Sequence, residues 1–180
     1  MKALRLFLVC VLVTSASAAF CDVAVYSYAG NWFQDFYTPH PPNPWTTNNR
    51  IIASFTVPAP LLNSNYGVQL TPLTYSISDG VFTLTPTNSS ADVFRISSNS
   101  SGQIVDWLIV VVASAILNDN SISTASVTNV DQATDVYFNT AKNSTAGSWR
   151  MSIVPTPEPA SLITLSFGLV MTAVRRVRLL

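Results

Sequence analysis

A chain of 180 residues is long enough for one domain with a sizeable core and too short for two comfortable ones. Nine lysines and arginines balance nine acids, and charged residues make up only 10% of the chain, so the totals call for no polyanionic partner. Lys2 and Arg5 open the chain and Arg175, Arg176 and Arg178 close it; residues 20–154 carry four cations against eight aspartates, and the lack of a basic stripe excludes a nucleic-acid binder.

The first element, MKALRLFLVCVLVTSASAAF, has a basic start, an apolar run from Leu6 to Val13, and then small residues. This order predicts a secretory signal peptide over residues 1–19, cleaved after Ala18 or Ala19, with signal peptidase and the general secretion machinery as partners. Eight apolar residues are too few to span a bilayer, which takes about 20. Export leaves Cys21 as the one thiol, because Cys10 lies in the signal. A single cysteine forms no intrachain disulfide, so core packing and hydrogen bonds have to hold the domain together. Phe20 is bulky where a lipoprotein signal wants a small residue, so lipidation is not expected.

Residues 20–154 predict strand after strand. In DVAVYSYAG, Val23, Val25 and the ring of Tyr26 or Tyr28 are expected on one sheet surface, with Gly30-Asn31 as a stop. PHPPNPWTTNN holds four prolines within six residues and reads as a loop. RIIASFTV alternates Ile51, Ala53, Phe55 and Val57 against Ile52, Ser54 and Thr56, and Pro58 ends it. TYSIS and VFTLT flank Asp79-Gly80, a dipeptide able to take the positive φ of a tight hairpin. DVFRISS and GQIVDWLIVVVAS form a second pair across residues 99–102. Leu108 to Ala115 is apolar on both parities and reads as a strand covered on both faces, since valine and isoleucine crowd a helix. Weaker strands are expected near Ser123 to Val127, Val136 to Phe138 and Ser148 to Val154. Short strands without an amphipathic helix predict an all-β fold, a single antiparallel β-sandwich of which a jelly-roll-like form is one version.

Chemistry is sparse in this part. His40, the one histidine, sits in the proline loop and reads as a solvated side chain. One histidine, one exported cysteine and no glutamate cannot assemble the usual zinc sites, and no cofactor is expected. Asn118-Asp119-Asn120 and Asp131 with Asp135 offer oxygen ligands but lack EF-hand spacing, so they read as loop polarity. Asp79 and Asp106 read as turn residues. No Gly-x-Ser-x-Gly elbow supports a serine triad. Sequons begin at Asn88, Asn99 and Asn143 and read as coincidence in a serine-rich composition. The aromatic surplus, Trp32, Phe33, Phe36, Tyr37 and Trp45, surrounds the proline loop. It reads first as a small core capping one end of the sandwich; Trp32 and Trp45 on one exposed face would instead form a sugar-stacking surface.

The last element is PTPEPASLITLSFGLVMTAVRRVRLL. Pro155, Pro157 and Pro159 alternate around Glu158, the one glutamate, and predict an extended, exposed segment over 155–159. Residues 160–174 are uncharged and predict a transmembrane helix about 23 Å long, near a 30 Å hydrocarbon core if its flanks contribute. Arg175, Arg176 and Arg178 make a basic stop that stays cytoplasmic by the positive-inside rule. Pro157-Glu158-Pro159-Ala160-Ser161, the apolar stretch with Gly168 and the Arg175-Arg176 cluster together resemble the PEP-CTERM sorting signal. Thr156 stands where valine is common, a departure that leaves the match intact. The resemblance covers residues 155–180. It implies a Gram-negative, exopolysaccharide-producing bacterium and recognition by exosortase, a membrane-embedded cysteine transpeptidase.

The middle is also similar to a recurrent domain of PEP-CTERM proteins, through residues 28–33, 52–57, 71–80 and 101–107. No activity is attached to that domain, and no functional residue is carried over. The expectation is an exported surface or matrix protein, first membrane-tethered and then processed, with a structural or adhesive role in extracellular polysaccharide. Its rivals are a carbohydrate-binding module and a secreted polysaccharide hydrolase using aspartates; no catalytic constellation singles out the last.

Overall fold

β-Branched and aromatic residues alternating with serine and threonine give strands throughout the residues that the computed structural model describes, 23–65, 68–114, 120–126 and 128–155. The expected signal peptide and the tail from residue 156 lie outside them. In chain order the strands are β1 (Val23–Trp32), β2 (Asp35–Tyr37), β3 (Arg50–Val57), β4 (Thr74–Ser78), β5 (Thr83–Leu84), β6 (Ser89–Ser98), β7 (Ile104–Ala113), β8 (Ser121–Ala125), β9 (Val130–Thr134), β10 (Thr140–Asn143) and β11 (Ser148–Val154). They form two antiparallel sheets, β11-β1-β3-β4-β5 and β2-β10-β9-β8-β7-β6, an all-β arrangement consistent with a β-sandwich. Five consecutive strands, β6 to β10, stay in one sheet as a meander, whereas a jelly roll alternates its strands between sheets.

Between the sheets lies one aromatic core. Phe55 stacks on Tyr26 at 4.9 Å and meets Phe94 of the other sheet edge-on at 5.1 Å. Trp149 lies 5.4 Å from Phe55 and 6.2 Å from Trp107, centroid to centroid. In β3 the expected parity holds: Ile51, Ala53, Phe55 and Val57 are buried. In β1 the inward face is Ala24, Tyr26 and Tyr28, and Val23 and Val25 stand on the other one. That strand also runs through Gly30-Asn31 to Trp32, with a shift of register after Ala29. β7 buries Trp107, Ile109, Val111 and Ala113, while Leu108, Val110 and Val112 are half-buried rather than covered.

Both expected hairpins form. Ile77 pairs with Leu84 and Ser78 with Thr83 around a four-residue turn in which Gly80 has φ +88°; β6 and β7 join through Gly102 at φ +78°. Residues 136–138, expected as a strand, are the turn between β9 and β10. Asp106 lies within β7 rather than at a turn, and its Oδ1 accepts from the Ser126 hydroxyl.

Val23 pairs with Val154, so β1 begins beside the end of β11. Trp32 pairs with Arg50 at the opposite end of the same sheet. Ser78 pairs with Ile52 there too, which places the turn at residues 79–82 at the Trp32 end. The proline loop joins it, with Asn49 against Gly80 and Trp45 edge-on to Phe82 at 6.3 Å.

Candidate functional site

Alternation in β9 turns Asp131 and Ala133 inward. The Tyr28 hydroxyl, on β1, donates to Asp131 Oδ1 at 2.7 Å and accepts the Gly147 amide at 2.5 Å. Gly30 has to lack a side chain, because a Cβ there would run into the Asp131 carboxylate. Asp131 is 0% exposed, and burial pushes its carboxyl up to about 6, against the smaller opposing influence of Thr124, Tyr28 and the Asn31 amide. The same burial, with the Asp131 charge beside it, raises Tyr28 well above the ordinary tyrosine value.

A groove of about 720 Å³ runs between β7 and β11, lined by Tyr26, Gln103, Trp107, Trp149, Arg150 and Met151 among others, and neither Tyr28 nor Asp131 lines it. Trp107 Nε1 donates to Thr124 Oγ1 at 3.0 Å, and Trp149 Nε1 finds no partner among the described residues. Gly147 links groove and pair, since it lines the one and bonds the other. A general acid has to reach its substrate, and Asp131 is sealed behind Tyr28, itself 2% exposed. The raised carboxyl therefore pins the two sheets and does not serve the groove.

The expected sugar-stacking pair is divided. Trp45 is 3% exposed, whereas Trp32 is 50% exposed and has the Arg50 guanidinium 4.5 Å from its ring centre. Trp45 thus belongs to the core, as does Phe33, because the loop folds back over the end of the sandwich. Chemical denaturation should separate the two tryptophans. Trp45→Ala is expected to lose about 3–5 kcal/mol and Trp32→Ala at most about 1 kcal/mol.

The other candidates are scattered. Asp79 Oδ1 accepts from the Val81 and Phe82 amides, as expected of a turn residue; burial raises its pKa and those bonds oppose the rise. Asp131 and Asp135 hold different partners, and among the described residues no three His, Cys, Asp or Glu side chains gather to hold a metal. Pro157, Glu158, Pro159, Arg175, Arg176 and Arg178 lie outside the described residues.

A second feature escapes sequence reasoning. Asn139, 1% exposed, donates from Nδ2 to Asp135 Oδ2 at 2.9 Å and to the His40 carbonyl at 2.8 Å, and accepts the His40 amide at 3.1 Å. Asp135 Oδ1 accepts the Tyr137 and Asn139 amides, both at 2.9 Å. The tightly bonded turn leaves Tyr137 61% and Phe138 72% exposed, with Phe138 at φ +61°. The one local signal was Asp135 and Asn139 bracketing two adjacent aromatics. No family model, curated protein or solved structure matches the chain.

Proposed function

We propose that the chain is an exported, non-catalytic surface protein that exosortase sorts through the PEP-CTERM-like tail, and that it serves as a structural or adhesive component of extracellular polysaccharide. On this reading it crosses the inner membrane, is tethered by the span over 160–174, and then reaches the cell surface or matrix. The observation that carries the non-catalytic part is the use made of the buried carboxylates. Asp79, Asp131 and Asp135 are each engaged in hydrogen bonds that hold a turn or join the sheets. The order of proline motif, apolar run and arginines supports the sorting. Mass spectrometry of the mature protein from its own host tests it: the native chain should lack the arginine tail, and Glu158→Ala should retain it. Arginines kept in both would sink the reading.

A further inference from the structure

We infer that the Trp32 end of the domain carries a binding site for a neutral polysaccharide, built from the exposed rings of Tyr137 and Phe138 and the pocket beside them. This deepens the proposed function, on which it rests, by naming a ligand class and a place. The pocket has a volume of about 510 Å³ and is lined by Pro44, Phe82, Asn88, Asn120, Asp135 and Tyr137 among others. That volume falls within the roughly 300–1,000 Å³ of small-ligand sites.

Three observations fix the chemistry. First, Asn120 is 8% exposed and its Oδ1 finds no partner among the described residues. A buried acceptor without a donor is costly, and a hydroxyl-rich ligand brings donors. Second, among the described residues no lysine or arginine lines the pocket, and both oxygens of the one carboxylate that does, Asp135, are already bonded to the turn. An anionic ligand would meet no counter-charge from these residues, and a cation would meet carboxylate oxygens already taken up by the turn, so a neutral ligand fits best. Third, Phe138 is a bulky residue held at positive φ while 72% exposed. Strain of this kind persists when the surroundings over-determine it, and here it accompanies a largely exposed aromatic ring. Tyr137 stands on the pocket wall, with the His40 ring 6.1 Å from its own. Flat rings of this type stack on the apolar faces of pyranoses.

Affinity electrophoresis of the full chain in a detergent without a sugar headgroup tests the inference. The probes are hydroxyethylcellulose and galactomannan, with alginate as the anionic control. Retardation is expected in at least one neutral glycan and not in alginate. Tyr137→Ala should weaken it about three- to tenfold, the worth of one aromatic contact. Phe138→Gly and Asn120→Ala should weaken it while leaving the melting temperature unchanged or raised, since one relieves the positive φ and the other removes an acceptor without a partner among the described residues. A purely structural role would instead lower the melting temperature in both. Absence of retardation in both neutral glycans, or retardation unchanged in all three variants, overturns the site. Sorting is read at the C terminus, so Glu158-dependent processing without retardation would remove this inference and leave the proposed function standing.

Discussion

Acidification from pH 7 to pH 4.5 is expected to raise the melting temperature of this protein. The Asp131 carboxyl titrates near 3.8 when the chain is unfolded and near 6 when burial withholds water from its charged form. Between those values the folded state binds the extra proton. Stability from this group is therefore fully present below about pH 4 and is lost as pH rises through about 6. A shift of roughly two units is worth about 3 kcal/mol in total, of which about 2 kcal/mol falls between pH 7 and pH 4.5. For a domain of this size that corresponds to about 5–10 °C. Asp79 is raised by burial too and acts with the same sign. Asp131→Asn keeps an acceptor for Tyr28 but cannot titrate, so most of the slope should vanish. Thermal melts of the full chain across this range provide the check. A slope that survives in Asp131→Asn, or a melting point that falls on acidification, would refute the account.

The second large effect lies at Phe55. Its ring is 1% exposed and joins the stacked Tyr26 of its own sheet to Phe94 of the other. Phe55→Ala opens a cavity where the sheets meet and is expected to lose about 3–5 kcal/mol, a large share of the roughly 5–15 kcal/mol available to a domain. Ile52 lies three positions earlier on the opposite face and is 51% exposed, so Ile52→Ala should lose no more than about 1 kcal/mol. Urea denaturation distinguishes the two. Equal losses, or the reverse order, would mean that β3 sits one residue out of the described register.

These effects also show where local pattern is informative. Ile51 to Val57 alternate cleanly, and a strand buried on one face cannot tolerate a slip of one residue, so the parity was legible. Asp79-Gly80 and the segment ending at Gly102 were legible as turns because positive φ restricts the residue choice. β2, β9 and β10 were not legible: Asp35–Tyr37 is only three residues long and exposed throughout, and Val130–Thr134 and Thr140–Asn143 are short and polar. Ala133 and Ala141 are the buried apolar residues of β9 and β10, too small for a clear signal. The parity of β1 misled because valines and tyrosines on opposite faces are both good strand formers, and the larger rings took the core.

By itself the sequence determined the class of fold, the two hairpins, the inward set of β3 and the linear order of signal-like start, charge-poor middle and basic-ended tail. All of these are properties of neighbouring residues. Only the tertiary structure decided that Trp45 is core while Trp32 is surface, and that Asp131 lies beneath Tyr28, 103 residues away. It likewise decided that Asn139 pins its turn to His40, 99 residues away, and so holds Tyr137 and Phe138 in the open. Burial, pKa and the exposure of a ring depend on what the opposite sheet brings to each position, and a local pattern carries no record of that partner.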